Sequence, residues 1–139
     1  MARLSGTEVQ LRLVIDSPVP GVRHSLQKDD APYDAKASRS GEPLVFDLSV
    51  RVAEDLRLLG DFVRREGPER RFVYVRVGTA AGDFGSPWNR RMKIDIHDIP
   101  PTLLEQGRQG KRLEATIQGT ASDGTPACAT VRVKGWRAI

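Results

Sequence analysis

Phe46-Asp47-Leu48-Ser49-Val50-Arg51-Val52 alternates apolar and polar side chains without a break. Successive side chains of an extended chain point to opposite faces, so this run reads as a strand with one dry side and one wet side. Its polar positions carry both charge signs, Asp47 and Arg51, which suits an antiparallel sheet solvated on one face.

The same period recurs outward from this run. Val9, Leu11, Leu13 and Ile15 alternate with Gln10, Arg12, Val14 and Asp16. Met92, Ile94 and Ile96 alternate with Lys93, Asp95 and His97; Leu113, Ala115 and Ile117 with Glu114, Thr116 and Gln118; Ala129, Val131 and Val133 with Cys128, Thr130, Arg132 and Lys134. The stretch from Arg71 to Thr79, RFVYVRVGT, is rich in β-branched and aromatic residues that suit a pleated surface. Its inner face could be Phe72 and Tyr74, or Val73, Val75 and Val77. A shorter strand is expected from about Val22 to Gln27.

Helical spacing is scarce. Ile99-Pro100-Pro101 ends a strand, because proline cannot donate to a ladder. Pro101 or Thr102 then opens a short helix that ends near Gly107 or Gly110. Ser122-Asp123-Gly124-Thr125-Pro126 reads as a turn between the last two strands. Residues 28–43 are polar and rich in Asp, Ser, Ala, Gly and Pro, and are expected to form a mobile loop. The expected fold is all-β, or a β-rich α+β fold. It is an antiparallel barrel or sandwich of six to seven strands in a single domain over residues 1–139, with one short helix near residues 101–107.

Composition narrows the classes. The chain has 139 residues, 39% of them hydrophobic and 29% charged, inside the globular range. Its 22 basic residues exceed its 18 acidic ones for a net charge of +4. The two signs are interspersed, which favours an ordinary charged surface over a nucleic-acid face. With a single cysteine, Cys128, no intrachain disulfide can form. No apolar run reaches the roughly 20 residues that cross a bilayer, and Met1–Thr7 lacks the apolar core of a signal peptide. The expected location is the cytoplasm, without membrane association.

Several short motifs occur in a fixed order: Gly60-Asp61-Phe62-Val63, Glu69-Arg70-Arg71-Phe72-Val73-Tyr74, Gly78-Thr79, Trp88-Asn89-Arg90-Arg91-Met92-Lys93, Asp98-Ile99-Pro100, and Asp123-Gly124 with Pro126 and Cys128-Ala129. This order resembles a bacterial family of uncharacterised proteins catalogued as domain of unknown function 5990. The resemblance implies a grouping and brings no activity with it. Ser86-Pro87-Trp88 stands where that family usually carries a Phe-containing segment.

No complete catalytic set is present. Two histidines, His24 and His97, and one cysteine are too few to suggest a metal site, and no metal or cofactor is expected. Gly78, Gly82 and Gly85 have neither P-loop nor dinucleotide spacing. The most suggestive feature is a set of arginine pairs, Arg64-Arg65, Arg70-Arg71 and Arg90-Arg91. A guanidinium pair beside Trp88 can hold a phosphate or carboxylate by forked hydrogen bonds and stack a ring. If the strands around Arg71 and Arg91 pair as a hairpin, Arg70 and Arg71 fall at the opposite end from Arg90 and Arg91. The expected binding residues are Trp88, Arg90, Arg91, Asp61, Asp95 and His97. The leading expectation is a non-catalytic module that binds a small anionic ligand or a protein partner, a second copy of the chain included. An enzyme acting on a small anionic substrate is the alternative, with Asp61, Asp95 or His97 moving protons. A single-stranded nucleic-acid binder ranks third, and nucleic acid is the disfavoured partner.

Overall fold

The computed structural model describes residues 6–16, 23–28, 31–37, 42–59, 71–77, 91–118, 129–131 and 133–139. These form ten strands, a 3-10 turn and one α-helix. In chain order they are β1 (Thr7–Asp16), β2 (Arg23–Lys28), β3 (Ala31–Ala37), β4 (Leu44–Val52), β5 (Leu58–Leu59), β6 (Phe72–Val77), β7 (Arg91–Asp95), the 3-10 turn (Ile96–Asp98), α1 (Pro101–Arg108), β8 (Leu113–Gln118), β9 (Ala129–Val131) and β10 (Val133–Ala138). One sheet has the order β10-β8-β1-β4-β5, the other β3-β2-β6-β7-β9.

The first sheet is organised by the alternation read from β1 and β4. Leu11 stands between Leu48 and Leu113, Leu13 between Phe46 and Ala115, and Ile15 between Leu44 and Ile117. All nine are buried. Ala115 is the small member of its row, and Trp136 of β10 is its partner on the other side. Leu26 of β2, Val73 and Val75 of β6 and Ile94 of β7 join the same apolar cluster from the second sheet. The question left open by RFVYVRVGT is thereby decided: Val73 and Val75 face inward, and Phe72 and Tyr74 lie half-buried on the other side.

The β-rich class with one short helix holds, and the sheets do not close into a continuous barrel. Four details differ from the sequence reading. The described residues form ten strands instead of six to seven. The sheets are mixed, because β1 pairs with β8 and β7 with β9 in parallel. Neither pair is consecutive in the chain, so local spacing gave no hint of them; β7 reaches β9 by way of α1 and a strand of the other sheet.

Residues 28–43, read as a loop, contain β3, an edge strand on β2. Its sequence, APYDAKA, is poor in β-formers, and Asp34 sits at φ 57° where the register with β2 slips. Proline and a bulge are features that edge strands accommodate and central strands do not.

The last alternating run, read as one strand, serves both sheets. β9 pairs with β7 and β10 with β8, so the two strands belong to different sheets. At the opposite side Lys36 of β3 donates to the carbonyl of Val45 in β4 at 2.7 Å, with its Nζ 5.3 Å from the centre of the Phe46 ring.

The helix begins at Pro101, whose missing N–H costs nothing in the first turn. It ends in a Schellman motif. Lys111 N donates to Gln106 O and Gly110 N to Gly107 O, both at 3.1 Å, while Gly110 takes φ +104°. Within the helix, Gly107 lets the backbone approach β1 and β8. A Cβ there would lie 2.9 Å from Leu113 Cδ1 and 3.0 Å from Val9 Cγ1, both in buried side chains. Gly107→Ala should therefore destabilise the protein, although alanine favours a helix by about 1 kcal/mol over glycine. Overpacking typically costs about 1–3 kcal/mol. Urea unfolding with a lowered midpoint and unchanged slope is the expected result.

Candidate functional site

In β6 and β7, cross-strand partners share a face of the sheet. Phe72 pairs with Asp95, Tyr74 with Lys93, and Arg76 with Arg91. Arg76 also pairs with Ser25 on its other side. Because Val73, Val75 and Ile94 point into the core, alternation assigns the Phe72–Asp95 and Tyr74–Lys93 rows to the other face of the second sheet. Rows are two residues apart, about 7 Å.

The Asp95 row is an electrostatic knot. Arg71 Nε lies 3.1 Å from each Asp95 carboxylate oxygen, and Arg71 Nη2 donates to Oδ2 as well. Asp95 also caps the following 3-10 turn, accepting from His97 N at 2.9 Å. Burial pushes the Asp95 carboxyl up, but the hydrogen bonds from Arg71 and His97 N outweigh it and hold the group below its ordinary value. The knot is tied to aromatic surface. The Arg71 guanidinium lies 5.3 Å and Lys93 Nζ 5.6 Å from the centre of the Phe72 ring. Tyr74 continues the aromatic strip, its ring centre 6.3 Å from that of Phe72.

The Arg76 row has another character. Two arginine positions stand directly opposite one another, with Ser25 as the third member. Ser25 is fully buried, and its hydroxyl has no hydrogen-bond partner. Among the described residues of these three rows, Asp95 is the sole acid, and Arg71 already occupies it.

The outward face of the first sheet shows what a balanced surface looks like. Asp47, Arg12, Glu114 and Arg137 form one cross-strand row of alternating sign. Arg12 bonds Asp47 at 2.9 Å, and Arg137 bonds Glu114 at 2.7 Å. Lys134 and Asp16 pair at 2.7 Å on the same sheet.

Of the residues expected from sequence, Asp95 and His97 come together through the turn cap. Arg91 lies four positions along β7 from Asp95, at the other end of the hairpin. His97 is exposed, with Nε2 3.3 Å from the Leu56 carbonyl oxygen at the turn after β4. Trp88, Arg90, Asp61 and Cys128 lie outside the described residues. His24 is buried on the core side of β2, at the Val77 end of β6, far from His97. Sequence reasoning missed Arg76, Ser25 and Lys93 as neighbours of Arg91. Spacing along the chain points only to the adjacent Arg90, whereas the register sets Arg76 opposite Arg91 across the hairpin. No three of His, Cys, Asp and Glu among the described residues are grouped to hold a metal ion. No described helix is long and apolar enough to cross a membrane.

The family model for "Family of unknown function (DUF5990)" matches residues 9–139, from the first strand through the last. The chain belongs to this family. No curated protein and no solved structure matches it. Membership in DUF5990 therefore groups the protein without assigning it a reaction or ligand.

The Asp95 knot gives a pH signature. A carboxyl held below its unfolded value, roughly 3.9, contributes stability above that pH and loses it as pH falls through the folded value. Asp95→Asn should lower stability near neutrality by about 1–3 kcal/mol, as expected for a charge-assisted hydrogen bond. The gap between variant and parent should be constant above about pH 4 and begin to narrow below it, as pH falls toward the lower folded value. Urea midpoints measured from pH 7 down to pH 3 test this; a gap constant with pH would contradict the assigned role.

Proposed function

We propose that the protein is a non-catalytic binding module whose outward second-sheet face receives a small anionic ligand. The observation that carries this reading is the contrast between the two outward faces. On the first sheet, the row Asp47-Arg12-Glu114-Arg137 matches each cation with an acid. On the second, Arg76 faces Arg91, Lys93 follows in the next row, and the acid Asp95 is already bound to Arg71. Like charges set opposite each other in a sheet are destabilising, and an anion between them removes that cost. Phe72 and Tyr74 offer ring faces and edges beside the cations, which suits a ligand with an apolar or planar part.

The enzyme alternative needs a proton-transfer group beside the same row. Asp95 is held as a carboxylate by Arg71 and His97 N, four positions from Arg91. His97 faces the Leu56 carbonyl at the turn after β4. Both placements favour binding over catalysis.

Calorimetric titration with citrate at low ionic strength should show binding that weakens as salt is added. The paired change Arg76→Gln with Arg91→Gln should reduce affinity at least about tenfold, equivalent to about 1.4 kcal/mol. Arg12→Gln, on the balanced face, should leave it unchanged. Absence of binding, or equal losses in both variants, would remove the assignment.

A further inference from the structure

We infer that the outward face of the first sheet is a self-docking surface, on which a second copy of this chain packs about a two-fold axis running along the strands between β1 and β8. This face belongs to the other sheet from the anion reading, and the inference stands apart from it.

The face is open. The Asp47 and Arg137 side chains near its two sides are 50% and 71% exposed. The helix lies on the opposite side of the sheet, since Gly107 approaches the core side chains of Val9 and Leu113. Strands β10, β8, β1 and β4 hold 6 to 10 residues each. At about 3.3 Å per residue and 4.8 Å per strand they cover about 500 Å² in projection. Accessible area exceeds projected area, so the face suits one partner's share of a specific interface, roughly 600–1,000 Å².

The order of charges selects the occupant. Across β4, β1, β8 and β10 the row Asp47, Arg12, Glu114, Arg137 runs minus, plus, minus, plus. Reversed, it runs plus, minus, plus, minus. A two-fold axis along the strands reverses order across them and keeps position along them. It therefore sets Asp47 over Arg137 of the second copy, and Arg12 over Glu114. Any other partner must match this order independently, whereas a second copy matches it by symmetry.

The next row repeats the match in size. Val45, Val14, Thr116 and Gly135 follow in the same strand order. Gly135 is exposed, and a Cβ there would meet nothing within 4 Å. The axis puts Val45 over this space and Val14 over Thr116. Covering the charged row strands no ion, because Arg12 already bonds Asp47 and Arg137 already bonds Glu114 within each copy. Stacking adds a second counterion to each of these groups instead of burying a bare charge.

Sedimentation velocity of the full chain, from about 5 to 200 µM, tests the inference across the range of a micromolar dimer. The parent should dimerise as concentration rises. Asp47→Arg sets two cations opposite each other across the axis and Arg137→Asp sets two anions, so each variant alone should remain monomeric. Mixed in equal amounts, the two should recover a dimer at least about tenfold tighter than either forms alone, because each supplies the sign the other lacks. That recovery requires both variants to be folded. Gly135→Tyr, which has room within its own copy, should give monomers without any change of charge. A parent that stays monomeric, single variants that dimerise like the parent, no recovery on mixing, or a dimer that survives Gly135→Tyr overturns the inference.

Discussion

Everything in this fold hangs on the rows that cross β4, β1 and β8. Leu13 has Phe46 on one side and Ala115 on the other, and the flanking rows repeat the arrangement with Leu11 and Ile15. A slip of one residue in β1 would turn Leu11, Leu13 and Ile15 to water and bring Arg12 and Val14 inside. Burying an aliphatic or aromatic side chain is worth about 1.5–3 kcal/mol, so the register is enforced many times over. Once it is set, the charged row Asp47-Arg12-Glu114-Arg137 follows on the other face by geometry alone. The second sheet obeys the same constraint: Val73, Val75 and Ile94 take the core, which leaves Phe72, Tyr74 and Lys93 the other side.

The strands legible in the sequence were those whose burial is one-sided and whose apolar residues are large. β1, β4 and β8 needed no more than period two. β6 resisted, because Phe72 and Tyr74 are as apolar as the valines they alternate with, and only the packed core distinguishes the faces. β3 resisted for the opposite reason. With Pro32, Asp34 at positive φ and Lys36 reaching across to the Val45 carbonyl, it is held by backbone pairing and one long side chain, and it has no hydrophobic signature. The parallel pairs were invisible because each joins segments widely separated in the chain, and nothing in Leu11 or Leu113 alone specifies the other.

The candidate site was legible in part. Arg91, Asp95 and His97 were singled out as charged residues near one strand, and the hairpin geometry placing Arg71 away from Arg91 was correctly anticipated. What could not be read was the pairing of Arg76 with Arg91, since cross-strand register depends on the loop between them, and that loop carries no tight-turn signature. Ser25 was hidden further still. A serine in a short strand is unremarkable in sequence, and its loss of water depends on how the second sheet is assembled.

Arg71 explains why the two ends of the β6–β7 hairpin behave differently. By taking both oxygens of Asp95 it uses the acid of that face, and the acid in turn fixes the 3-10 turn through His97 N. The bond is therefore structural at one end and electrostatic in its consequence at the other: with Asp95 neutralised, nothing acidic in the described rows offsets Lys93, Arg76 and Arg91. A buried ion pair is weak evidence for added stability, because desolvation opposes the attraction. Its value here lies in positioning, since it closes the hairpin at one end and fixes the 3-10 turn that follows β7.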